Sequence, residues 1–174
     1  MRTNNKFAAV AVVAAAALMS VSAAVADTAK AEMKDAKGAS IGTVTLTDVP
    51  AGVLLNLSLK GLPAGTYGFH LHAVGKCEGP AFASAGGHFN PGQHKHGFMN
   101  PEGQHAGDLP NLHVAGTGDF NLEVVAAGVT LKKGGANSLS DADGSALVIH
   151  EKADDYKTDP AGDSGARIIC GVIQ

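Results

Sequence analysis

Beyond its first 26 residues the chain is patterned with a period of two rather than 3.6. Val53, Leu55, Leu57 and Leu59 fall on one face of an extended segment whose other positions are mostly polar, the mark of a strand with one side buried. Ile41 to Thr47 alternates in the same way and is β-branched, and Asp48-Val49-Pro50-Ala51-Gly52 between them is turn chemistry, so the two read as a hairpin. A second turn, Gly61-Leu62-Pro63-Ala64-Gly65, leads into a strand from Thr66 to His72. Further strands are predicted at Asp119 to Val125, Val129 to Lys132, Ala146 to His150 and Arg167 to Ile173, and a weaker first strand within Asp27 to Ala39. No stretch keeps an apolar 3.6 period long enough for a helix. Short strands at this spacing predict an all-β sandwich or barrel.

Two segments break the pattern. From Ala73 to about His113 the chain is rich in Gly, Pro, Asn and His without periodicity, and a shorter irregular stretch runs from Glu151 to Gly165. A loop of about forty residues inside a compact domain is uncommon unless it has a function.

The N-terminus changes the compartment. Arg2 and Lys6 precede an apolar run from Phe7 to Met19, and Ala24-Val25-Ala26 supplies small residues for cleavage, so residues 1–26 read as a secretory signal. The run is well short of the roughly 20 residues that cross a bilayer, and no stable membrane association is expected after cleavage. Residues 27–174 then form a single domain. Setting Arg2 and Lys6 aside leaves 11 basic against 16 acidic residues, a formal charge of −5 with no basic cluster, which argues against nucleic acid as a partner. In an exported chain the two cysteines, Cys77 and Cys170, are expected to pair. That bridge closes a loop of roughly 90 residues, stabilising the fold by about 4 kcal/mol on the chain-entropy model.

All eight histidines lie between positions 70 and 150. In Tyr67-Gly68-Phe69-His70-Leu71-His72 the period of two sends Tyr67, Phe69 and Leu71 to the core and places His70 and His72 side by side on the outer face. His150 ends another strand on the face of Val148. Imidazoles with few thiolates suit Cu(II) and Zn(II), and an added carboxylate suits zinc.

Six segments together resemble a known family, the bacterial exported copper,zinc superoxide dismutases. They are Phe-His-Leu-His at 69–72, Gly-Gly-His-Phe-Asn-Pro at 86–91, Lys-His-Gly at 95–97, His-Ala-Gly-Asp-Leu at 105–109, His-Glu-Lys-Ala-Asp-Asp at 150–155 and Gly-Ala-Arg-Ile-Ile-Cys-Gly-Val-Ile at 165–173. The resemblance spans essentially the whole chain after the signal. It implies a Greek-key β-barrel or immunoglobulin-like sandwich, an architecture this family is known to share, with two long functional loops, one anchored by the disulfide. It further implies one copper held by His70, His72, His88 and His150, and one zinc held by His88, His96, His105 and Asp108, the ring of His88 bridging the two. Asp154 corresponds to a carboxylate linking His70 to His96, and Arg167 to an arginine that draws and orients a small anion beside the copper. Lys152 and Lys157 add to the attractive field, superoxide dismutases being a known case of such steering. The implied substrate is superoxide, converted to oxygen and hydrogen peroxide in the periplasm, and a homodimer stays open.

Other readings weigh less. A metal-storage protein needs the histidines but has no use for Arg167, a bridging ring or Asp154. A zinc hydrolase requires an open zinc position and a nearby base, and no HExxH pattern is present. His94 and His113 fall outside both ligand sets and read as surface histidines.

Overall fold

A computed structural model describes residues 26–116 and 119–174; the expected signal segment lies outside the described residues except for Ala26. Among the described residues nine strands form: β1 Thr28–Asp35, β2 Ser40–Val49, β3 Gly52–Lys60, β4 Gly65–Tyr67, β5 Phe69–His72, β6 Leu112–Val114, β7 Asp119–Ala126, β8 Ala146–His150 and β9 Arg167–Val172. The only helical element among the described residues is a 3₁₀ turn at Ala83–Ala85. Seven strands make one antiparallel sheet in the order β5-β8-β9-β1-β2-β3-β7, and β4 pairs with β6 in a second. Because β9 returns over a long connection to lie beside β1, the spatial order β9-β1-β2-β3 is a Greek key.

The alternation read from the sequence is the alternation of burial. Val53, Leu55, Leu57 and Leu59 of β3 and Val44 and Leu46 of β2 point into one core shared with Phe69, Leu71, Leu147 and Ile149. Each such side chain contributes about 1.5–3 kcal/mol by leaving water. The polar N-terminal segment does form β1: Ala31 and Met33 face the core while Lys30 and Lys34 face solvent, a period-two signal weakened by small alanines.

Two expectations are corrected. The strand from Thr66 to His72 is interrupted at Gly68, whose N–H donates to Lys152 (2.7 Å) and whose carbonyl accepts from His150 N–H (2.8 Å), so the chain leaves one sheet for the other there. Val129 to Lys132 makes only an isolated bridge between Thr130 and Ser138. The reason is local: Asp48 Oδ1 accepts from Thr130 Oγ1 (2.7 Å) and Leu131 N–H (2.9 Å), taking up the backbone donor a strand neighbour would have used.

A second, smaller apolar cluster lies on the opposite face of the sheet, where Phe82 and Ala85 pack on Ala146, Val148 and Cys170. The Cys77–Cys170 disulfide, Cα to Cα 5.7 Å, pins this loop onto β9. The segment after Ala73 is therefore folded back over β8 and β9.

Candidate metal centre

That packing changes the environment of the paired histidines. His70 and His72 do project from the face of β5 opposite Phe69 and Leu71, but both are completely buried, not exposed as the strand pattern alone suggests. The two long loops cover them. Beside β5 runs the chain around His88, with Phe89 N–H donating to Leu71 (2.8 Å) and Ala73 N–H to Gly87 (3.0 Å). The chain around Asp108 is fixed alongside, Leu71 N–H donating to Gly107 (2.9 Å) and Gly107 N–H to Phe89 (2.8 Å). Loop residues are thus carried on a strand edge rather than left free.

Two clusters result, and each offers four atoms that lie within 4.8 Å of one another: His70, His72, His88 and His150 in one, His88, His96, His105 and Asp108 in the other. His88 belongs to both through different nitrogens. Its Nδ1 lies 2.9 Å from Asp108 Oδ1, while its Nε2 has no hydrogen-bond partner among the described residues.

The donor chemistry of the first cluster is specific. His70 Nδ1, His72 Nε2, His88 Nε2 and His150 Nε2 are all buried and have no hydrogen-bond partner among the described residues. Four orphaned imidazole nitrogens in one place would be a large desolvation penalty unless something binds them. In three of the rings the other nitrogen is occupied: His70 Nε2 pairs with Asp154 Oδ2 at 2.7 Å, His72 Nδ1 with the Gly86 carbonyl at 3.0 Å and His150 Nδ1 with the Gly165 carbonyl at 3.2 Å. Because carbonyls and carboxylates only accept, each of those nitrogens carries the proton and the orphaned one presents a lone pair. Burial, reinforced by the neighbouring rings, lowers the pKa of His70 to about 3 and of His150 to about 4, and pushes His72 well down. All are therefore neutral near pH 7, as ligation requires. These donors fit a copper ion.

In the second cluster Asp108 Oδ1 is approached by His88 Nδ1 at 2.9 Å, His96 Nδ1 at 3.0 Å and His105 Nδ1 at 3.2 Å, with His88 and His105 Nδ1 3.3 Å apart. Tetrahedral bonds of about 2.0–2.1 Å give ligand separations of roughly 3.3 Å, so the set fits zinc. Asp108 Oδ2 is held by the N–H groups of Gly97 (2.8 Å) and His105 (3.0 Å). Burial raises the Asp108 pKa, but the surrounding imidazole and backbone donors outweigh it and keep the carboxyl far below its ordinary range.

Asp154 joins the clusters. It is buried and binds His70 through Oδ2 and His96 Nε2 through Oδ1 at 3.0 Å. Burial disfavours charge on His96, yet Asp108 and Asp154 on its two nitrogens raise its pKa to about 9. Arg167, half-buried on β9, donates Nη1 to the Phe82 carbonyl (2.8 Å) and Nη2 to the Gly86 carbonyl (2.6 Å), so its charge is fixed where it acts on His72 and His150. Lys152 and Lys157 are exposed on the second loop, and His94 and His113 are exposed and belong to neither cluster. Residues that sequence reasoning passed over are Asn111 and Tyr156, which bond Asp154; a single Asn after Pro110 reads as an ordinary turn.

An antiparallel Greek key that gathers two buried histidine clusters around one shared ring defines a class of metal-binding β-barrels. Comparison narrows it: residues 40–173 match the family model described as copper/zinc superoxide dismutase (SODC). "Superoxide dismutase [Cu-Zn] 2" of Aquifex aeolicus is 50% identical over 147 residues, covering 84% of this chain and 86% of that protein. "Superoxide dismutase [Cu-Zn]" of Caulobacter vibrioides is 45% identical over 148 residues, 84% and 85% of the two chains. Among solved structures, a SOD-like protein from Bacillus subtilis aligns with a TM-score of 0.81 at 43% identity, covering 83% of this chain and 97% of that one. The chain belongs to the copper/zinc superoxide dismutase family.

Proposed function

We propose that this chain is an enzyme that disproportionates superoxide to oxygen and hydrogen peroxide, using one copper at His70, His72, His88 and His150 and one zinc at His88, His96, His105 and Asp108. The observation that carries this reading is the ring of His88, whose Nδ1 lies in the carboxylate-containing cluster and whose Nε2 is one of four converging, unpartnered imidazole nitrogens.

Copper bound at His70, His72, His88 and His150 would supply a one-electron redox couple, and zinc at His88, His96, His105 and Asp108 would be redox-silent. The protein does the rest. Three of the four copper-facing rings have their second nitrogen tied to Asp154, Gly86 or Gly165, so ring orientation is set before the ion arrives. His88 Nε2, buried with its lone pair turned into the cluster, is placed to pass one of the two protons that formation of hydrogen peroxide takes up, the other coming from water. Arg167 spends two of its donors on carbonyls and keeps its charge beside His72 and His150, where a small anion is attracted and oriented. Lys152 and Lys157 extend that field. Asp154 holds His70 and His96 in register.

The N-terminal 26 residues act as a signal that is cleaved, and residues 27–174 work in the periplasm as one domain, without stable membrane association. No helix among the described residues is long and apolar enough to cross a membrane. Pairing into a homodimer is compatible with this reading.

Purified chain starting at Asp27 and loaded with copper and zinc is expected to remove superoxide, whereas a zinc-only preparation and the His150→Ala variant are not. Full copper occupancy without turnover would replace the enzyme with a metal store.

A further inference from the structure

Asp154 can link the two clusters only if its carboxylate stays between two rings on different segments, and a loop residue has no strand to hold it. The structure assigns that task to Asn111. We propose that Asn111 is a positioning residue for both metal sites, acting through Asp154; this rests on the copper and zinc reading above.

The contacts are reciprocal. Asp154 N–H donates to Asn111 Oδ1 (2.8 Å) and Asn111 Nδ2 donates to the Asp154 carbonyl (2.8 Å), so one amide side chain takes both backbone groups of the same residue, as a neighbouring strand would. The ring of bonds then closes through Tyr156. Asn111 N–H donates to Tyr156 Oη (2.7 Å), and Tyr156 N–H donates to Asp154 Oδ1 (2.6 Å). Asn111 is buried, and the next residue, Leu112, is fully buried in the main core at the start of β6. Three residues earlier stands Asp108. The segment that brings a carboxylate to the zinc cluster is thus the segment that fixes the carboxylate between the clusters.

A purely structural role for Asn111, satisfying two buried backbone groups, would loosen the loop without preference among the rings. A positioning role would not. Of the four rings, the Asp154 carboxylate receives the N–H of His70 and His96, beside the backbone N–H of Tyr156, while the N–H groups of His72 and His150 go to Gly86 and Gly165. Those two rings are internal controls.

The test uses full-length processed protein loaded with zinc and reduced copper, both diamagnetic, in which the four imidazole N–H protons can be followed by NMR. Asn111→Ala is expected to speed solvent exchange at His70 and His96 by about tenfold, leave His72 and His150 unchanged, and raise zinc loss to a competing chelator by about tenfold. Tyr156→Phe, which removes one hydroxyl and keeps the ring against Phe98, is expected to act in the same direction with smaller effect, and decides the matter alone if Asn111→Ala does not fold. Faster exchange at all four rings, or at none, overturns the proposal. Wild-type protein that fails to take up both metals overturns instead the metal-site reading beneath it.

Discussion

Arg167 and His72 meet at one oxygen: the Gly86 carbonyl accepts Nη2 of Arg167 at 2.6 Å and Nδ1 of His72 at 3.0 Å. The group that fixes the positive charge also fixes the lone pair that His72 turns toward its cluster. Replacing Arg167 with Gln keeps amide donors but removes the charge. We expect kcat/KM for superoxide to fall about tenfold or more at low salt and its dependence on ionic strength to flatten, with copper content unchanged. An unaltered rate would reduce Arg167 to a tie between β9 and the disulfide loop.

The disulfide reaches the same place from another side. Cys77 and Cys170 close a loop spanning 93 residues and press Phe82, whose carbonyl also receives Arg167, onto β8. Restricting the unfolded chain in this way contributes about 4 kcal/mol. The double variant Cys77→Ser, Cys170→Ser should therefore show a lower urea midpoint, read by circular dichroism, in the metal-free protein. A midpoint within error of wild type would leave the loop held by apolar packing alone.

How much of this was legible in the sequence depended on the kind of contact. Alternation in β2 and β3 reports one buried face directly, and the same period of two places His70 and His72 on one face of β5, whereas β8 is buried at all five positions and on both faces. What alternation cannot report is the cover: both rings are buried because two aperiodic loops fold over them, and nothing in Phe69 to His72 itself encodes that. Asp154 and Asp155 show the same limit. As neighbours in sequence they look alike, yet Asp154 is buried between His70 and His96 while Asp155 is exposed and caps Lys157 and Thr158. Only the family resemblance told them apart. The interruption at Gly68 and the missing strand at Val129 to Lys132 come from hydrogen bonds to Lys152 and Asp48, residues distant in sequence.

The metal-free protein should be most stable near neutral pH. Unfolded histidines take up protons as pH falls through about 6.5, but folded His70 and His150 resist until about 3 and about 4, so stability drains on the acid side from about 6.5 down to about 4 for His150 and about 3 for His70. His72 and His88, also lowered, act in the same sense. Asp108 and Asp154, lowered too, add a loss below about 4. His96, raised to about 9, works oppositely: its contribution is complete below about 6.5 and fades as pH rises through 9. Urea midpoints across pH 4–9 should give a dome with the steeper limb in acid. Midpoints that climb steadily from pH 7 to pH 5 would contradict it.

Gly162 supplies the most local test of the link between the clusters. Its φ is +65°, and a Cβ there would collide with Asp154 Oδ1 and crowd His96 Nε2. Gly162→Ala thus meets two penalties, left-handed backbone strain of about 1–2 kcal/mol and a collision that moves the Asp154 carboxylate. Gly61 separates them: its φ is +75° but nothing lies within 4 Å of its Cβ position. Gly61→Ala should lower thermal stability alone. Gly162→Ala should in addition weaken zinc binding by about 10–100-fold, the usual effect of disturbing a ligand's hydrogen-bond partner, measured by chelator competition. Equal zinc affinity in the two variants would mean that Asp154 does not govern the zinc site through His96.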